Sequence, residues 1–247
     1  GRAGLALALL AACLSAGRNL FNVSRDFAFV ALVAVGLAVV VAAGGSDLSV
    51  GATVVLAAMV ISVTMAAGAS FWVGVIAALS ASLVIGALNG VLIAYAGMPA
   101  FVVTLGMLSA ARSAAMVLSN NKMIWEFGPD HDILLWVGGG STFGLPHPLF
   151  ALGALGLVMS LVLKWTRWGQ HLFAIGGNEN AAVLTGIPVK RQKVTIYMFS
   201  ALTAGIAGIL IAGWLASVTN ILSQAMELTV SATASLGGAI PARGEGS

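Results

Sequence analysis

Long apolar runs separated by short polar breaks dominate this chain. Residues 27–43 (FAFVALVAVGLAVVVAA) form one run, and 50–67, 71–95, 100–118, 149–163 and 194–215 form five more. Most approach the roughly 20 residues a helix needs to cross the hydrocarbon core of a bilayer. The runs are continuous and lack the in–out alternation of a membrane barrel, so they predict helices. Two further runs are shorter. The one at 3–16 is expected to be a first membrane helix that has lost its start, since no clear cleavage site follows it. The small-residue run at 228–240 ends at Pro241 and is expected to be a partial eighth segment. The expectation is an all-α, polytopic transmembrane bundle of about 7–8 segments, a single membrane domain over 1–247 that is incomplete at both ends.

The breaks between runs carry the organisation. Residues 17–26 (GRNLFNVSRD) are polar and are expected at the interface. GGSDLS at 44–49 interrupts hydrophobic sequence, and GMP at 97–99 ends a helix because Pro99 disfavours helix in the residue before it. Two longer polar stretches lie at 119–148 and 164–193. The second holds Lys164, Arg167, Lys190, Arg191 and Lys193, whereas the first holds Lys122 with Glu126, Asp130 and Asp132. Cytoplasmic loops carry the Lys/Arg excess, so 164–193 is placed inside and 119–148 outside. Arg18 and Arg25 then lie outside, partly offset by Asp26. An apolar run ending in Gly-Gly occurs at 44–45 and again at 237–238. Paired broken segments of this kind belong to inverted-repeat transporters.

Composition narrows the class. Of 247 residues, 60% are apolar and 8% charged, with 11 Lys and Arg against 8 Asp and Glu. A soluble protein has about 45–50% apolar and about 25% charged residues. Nineteen charges cannot cover a water-exposed surface of this size, which excludes a soluble enzyme, a disordered chain, a coiled coil and a nucleic-acid binder. The 31 glycines suit close helix packing in lipid, and the six tryptophans suit interfacial belts. Cys13 stands alone in an apolar run, a packing residue with no internal disulfide partner.

Few residues carry chemistry. No lysine follows glycine, so there is no phosphate-binding G-x-x-x-x-G-K-S/T loop. There is no H-E-x-x-H, no Cys/His cluster and no G-x-S-x-G, and His131, His147 and His171 are scattered. Neither a cofactor nor an enzymatic activity is expected. Asp47 is the most informative residue, because an acid at membrane depth is costly. Gly44 and Gly45 let the backbone leave the helix, and Ser46, Asp47 and Ser49 can cap the helix starting near Val50. The other reading gives Asp47 a direct part in solute contact or proton movement. Asn89 can bond across helices. Arg112 can pair with an acid, snorkel, or line a pathway.

The stretch from Gly169 to Lys193 predicts a short amphipathic helix beside the membrane. Gly176 and Gly177 break the chain, Asn178 caps with Glu179 behind it, and Ala181, Ala182, Val183 and Leu184 form an apolar face. Gly186 and Pro188 end the helix. It reads as a docking surface, or as an interfacial helix without a partner.

Taken in order, these segments resemble the permease subunits of bacterial ABC importers for monosaccharides, the ribose-type permease family. The shared patterns are Gly44 to Gly51 (GGSDLSVG), Asn89-Gly90, Pro99 and Phe101 with Thr104-Leu105-Gly106, Ala174 to Ile187, and Tyr197 and Ser200 followed by Ala204-Gly205 and Ala207-Gly208. The resemblance implies an inner-membrane subunit working with a second permease copy or a homologous permease. It implies cytoplasmic ABC ATPase subunits and an extracytoplasmic substrate-binding protein as partners, and no nucleic acid. Residues 174–187 match the family's ATPase-coupling region, although Asn180-Ala181-Ala182 stands where many ABC permeases have Glu-Ala-Ala. Asn89, Thr104 and Arg112 are kept as pathway or packing residues. The family continues through further helices beyond the glycine-rich end reached here, so the chain is expected to lack its last helices. Two alternatives remain: an ABC permease for branched-chain amino acids or nucleosides, and an ion-coupled secondary transporter using Asp47.

Overall fold

A computed structural model describes residues 17–218. The runs expected at 3–16 and 228–240, Cys13 and the second glycine pair lie outside the described residues. In chain order the elements are α1 (Gly17–Ala42), α2 (Val50–Ala66), α3 (Phe71–Ala94), α4 (Ala100–Leu118), α5 (His131–Gly139), a two-stranded hairpin of β1 (Ser141–Thr142) and β2 (Leu145–Pro146), α6 (His147–Trp165), α7 (Arg167–Gly177), α8 (Glu179–Leu184) and α9 (Val189–Leu215). The hairpin sets Ser141 opposite Pro146. Helices α1, α3, α4, α6 and α9 are long and apolar enough to cross a membrane, and α2 is a shorter apolar helix. The described residues thus hold six of the expected segments.

Helix α9 is the axis of the bundle. It packs most extensively on α3, then on α2, α1 and α5. Small residues make that approach possible, as is usual where helices associate in lipid. A Cβ on Gly86 would lie 2.6 Å from the Tyr197 carbonyl oxygen, and one on Gly90 would lie 2.6 Å from Val194 Cα. Gly208 likewise faces the Val54 carbonyl of α2, and Gly138 of α5 faces Leu210 and Gly213. The interior is apolar: Val54, Leu32, Val33, Ala204 and Ala207 form one buried cluster, and Met59, Ile61, Met65 and Phe127 belong to another. Outside, Trp72, Ile76, Leu88, Phe101, Leu105, Leu157 and Leu161 stand exposed on α3, α4 and α6. In water so much exposed apolar surface would drive aggregation; here it is the face that meets lipid.

Three local expectations are corrected. Residues 17–26 are helical, because no Gly or Pro within 18–26 interrupts α1. At 1.5 Å per residue that helix is about 39 Å long, so its polar first turns extend beyond a hydrocarbon core roughly 30 Å thick. The 119–148 stretch contains α5 and the hairpin. Leu134 and Gly138 bury against α9, and a nine-residue helix is too short to register as a membrane run. The 164–193 stretch holds two helices, α7 and α8, and α9 starts at Val189 rather than 194.

These segments fix the two ends of the bundle. Helix α6 alone joins the 119–148 and 164–193 stretches, so they lie at opposite ends. Trp72, Trp125, Trp136 and Trp214 mark the outer end, and Trp165 and Trp168 the basic, cytoplasmic one. At the outer end Asp130 accepts the Phe71 amide at 2.8 Å, satisfying a free donor at the positive end of α3. Arg25 packs its guanidinium 4.2 Å from the Trp214 ring centroid and pairs with Asp26 at 3.6 Å.

Candidate functional site: a helix break pinned to the central helix

The break follows directly from local sequence. Helix α1 ends in a Schellman arrangement: the Gly45 amide donates to Val40 O and the Gly44 amide to Val41 O, both at 2.9 Å. Gly44 takes φ +77°, a left-handed conformation that costs glycine nothing. The chain then turns back into the bundle and restarts as α2 at Val50. Asp47 is 7% exposed. Its Oδ1 accepts the Ser49 amide at 3.0 Å and the Ser49 hydroxyl at 2.7 Å, while Oδ2 accepts the Ser200 hydroxyl of α9 at 3.0 Å. Ser49 in turn accepts the Asn89 side-chain amide of α3 at 2.9 Å, and the Tyr197 hydroxyl donates to Ser46 O at 3.0 Å. Ser49 is the residue preceding α2, but its side chain makes no capping bond, and its own amide is bound by Asp47. The carboxylate holds the turn and fastens it to α9, instead of capping the free N–H groups of α2 as expected.

Gly44, Gly45, Asp47, Ser49 and Asn89 are therefore brought together, with α1, α2, α3 and α9 meeting around them. Asn89 Oδ1 is buried without a partner. Thr104 and Arg112 lie on α4, which packs chiefly on α2 and α3. Thr104 is fully buried, and its hydroxyl donates back to Ala100 O at 2.9 Å, so it serves its own helix. Arg112 is half-buried two turns further along. In the sequence, Tyr197 and Ser200 stand out only as part of a motif. The signal that could single them out is two polar residues on one face of an otherwise apolar stretch.

At the cytoplasmic end, α7 and α8 form the second part of the site. Thr166 caps α7 by accepting the Gly169 amide at 3.3 Å. Helix α7 runs on through Gly176 and Gly177, so the interruption falls at extended Asn178 and not at the glycines. Gly176 presses its backbone against Ala42 O at the end of α1. Asn178 caps α8, its side chain accepting the Ala181 amide at 3.0 Å. Gly186, at φ +84°, ends α8 with the same Schellman pattern: Ile187 N donates to Ala182 O and Gly186 N to Val183 O. Ala182 is buried against Ile175 and Val189. The apolar face foreseen over 181–184 is therefore split: Ala182 points inward, and Val183 (55% exposed) and Leu184 (88%) point out. A cavity of about 420 Å³ lies between these parts, lined by Gly44, Gly45, Met98, Glu179, Lys193 and Tyr197 among others.

A lipid-facing helical bundle with a buried polar helix break fastened to its central helix, and with an exposed helix pair at one end, suits a membrane permease. Residues 19–246 match a family described as branched-chain amino acid transport system / permease component. The chain is 34% identical over 229 residues to the ribose import permease protein RbsC of Escherichia coli (strain K12), covering 92% of this chain and 71% of that one. The RbsC of Bacillus subtilis (strain 168) is 31% identical over 92% of this chain and 70% of its own. The L-arabinose transport system permease protein AraH of E. coli (strain K12) is 33% identical over 84% of this chain and 62% of its own length. No solved structure gives a significant match. The chain belongs to the ribose-type family of ABC-importer permeases. It is a multi-pass protein of the bacterial inner membrane.

Proposed function

We propose that this chain is the membrane-spanning subunit of an ABC importer, translocating a monosaccharide or sugar-like solute by alternating access. The observation that carries this reading is the match over 92% of the chain to a permease named for ribose. The family description names branched-chain amino acids, but the relatives that match along most of the chain are named for ribose and L-arabinose, which favours a sugar. Two ATPase subunits dock from the cytoplasm and supply the drive. A substrate-binding protein delivers the solute from outside, and a second permease copy or a homologous permease completes the pathway. The chain's own part is to convert movement of its cytoplasmic helices into opening and closing around the 44–49 break. Its catalytic chemistry lies on the partner ATPase, so it is a transport subunit.

The docking surface is α8. Burial of Ala182 inside this chain supports assigning contact with the ATPase to Val183 and Leu184. Leu184→Glu places a charge on the outermost apolar position and leaves the packing of Ala182 alone. Co-purification of the ATPase subunits with the permease should fall at least tenfold, with the permease's own thermal stability unchanged. Retained co-purification with full solute-stimulated ATPase activity would remove α8 from the interface.

A further inference from the structure

One face of α9 carries three polar residues at i, i+4 and i+7: Lys193, Tyr197 and Ser200. Helical periodicity stacks these positions on a single stripe. Each reaches across to a different part of the site. The Lys193 ammonium donates to both oxygens of Glu179, the first residue of α8, at 2.6 and 2.7 Å. Tyr197 donates to Ser46 O and Ser200 to Asp47, both at 3.0 Å. Lys190, one turn before Lys193 on α9, sets its ammonium 5.6 Å from the Tyr95 ring centroid. Glu179 and Lys193 also line the cavity whose other walls include Gly44 and Gly45.

We infer that Lys193 is a positioning residue that ties α8 to the helix break through this stripe, so that α8, Lys193, Tyr197, Ser200 and the 44–49 turn move as one unit. The ion pair is bidentate, and the Lys193 side chain is only 21% exposed. A rigid helix carries a displacement along its axis without loss. About 10 Å, or two turns, separates Lys193 from Ser200. The covalent route from α8 to the break runs through other segments, whereas the stripe crosses directly. As a coupling device this rests on the proposed docking of α8, but the link itself is a property of the chain alone.

Amide hydrogen exchange on the full chain in detergent tests the link without any partner subunit. The Gly44, Gly45 and Ser49 amides are hydrogen-bonded within or to the break and report on it. Lys193→Ala should speed exchange roughly two- to fivefold both at 179–187 and at 44–49, the range a partly exposed ion pair supports. Tyr197→Phe should speed it at 44–49 alone. The charge-swapped pair Glu179→Lys/Lys193→Glu should restore both segments. Loosening confined to 179–187 in Lys193→Ala, with 44–49 unchanged, overturns the inference, as does unchanged exchange at 44–49 in Tyr197→Phe. A wild-type complex that fails to couple ATP hydrolysis to uptake would sink the importer reading and leave the exchange result standing. Within an active complex, Lys193→Ala should lower solute transported per ATP hydrolysed by a similar factor.

Discussion

Asp47→Ala should destabilise the protein by about 2–4 kcal/mol and remove most transport activity. The carboxylate is the acceptor for three buried donors: the Ser49 amide, the Ser49 hydroxyl and the Ser200 hydroxyl. Each donor left unpaired away from water costs about 1–3 kcal/mol, and the two hydroxyls recover part of this by turning to nearby carbonyls. The turn at 44–49 would then lose its fastening to α9, and Ser49 would lose the geometry that receives Asn89. Asp47→Asn keeps the shape and one acceptor oxygen, so it should be milder in both respects. The check is the thermal midpoint in detergent, together with uptake by the reconstituted complex. If Asp47→Ala unfolded at the wild-type midpoint, the carboxylate would not be what holds the break in place.

Gly86→Val is the second large effect, and it acts through packing. A Cβ at Gly86 meets Tyr197 O at 2.6 Å, Met198 Cα at 2.7 Å and Ala201 Cβ at 2.8 Å. Two of these are backbone atoms of α9, the helix at the centre of the bundle, so no side chain can swing aside. Helix α3 and α9 must separate, which loosens Asn89 and Ser200 together. Overpacking of this kind costs roughly 3 kcal/mol. The thermal midpoint should fall by something on the order of 10 °C. Gly153→Val on α6 is the control, since a Cβ there meets nothing within 4 Å. Equal behaviour of the two variants would mean that α3 and α9 are not packed as described.

Much of the architecture is legible in one sequence because lipid enforces it. Apolar runs at 71–95, 100–118 and 149–163 correspond to α3, α4 and α6 within two residues at each end. The break at 44–49 is legible too, since two glycines, two serines and an acid set between apolar runs force a membrane helix to stop and turn. What stays hidden are partners far apart in the chain. Ser200 meets Asp47 across 153 positions and Tyr197 meets Ser46 across 151, and no local pattern announces either contact. The capping role expected of Asp47 fails for that reason: capping needs only its neighbours, whereas fastening the turn needs α9. Helix α5 leaves no membrane-length run because nine residues are too few to span, and its burial depends on Gly213 of α9 presenting no side chain. On α8, composition shows an apolar face, but only the fold decides that Ala182 turns inward and Leu184 outward.

The most direct test is uptake of a labelled monosaccharide, with ribose and L-arabinose as the first probes, into proteoliposomes holding the permease with its ATPase subunits and binding protein. Uptake is expected to require ATP inside the compartment that exposes 164–193, to require both partners, and to be indifferent to an imposed proton gradient. Uptake by the permease alone, driven by a proton gradient and lost in Asp47→Asn, would contradict it and make Asp47 an ion-coupling group.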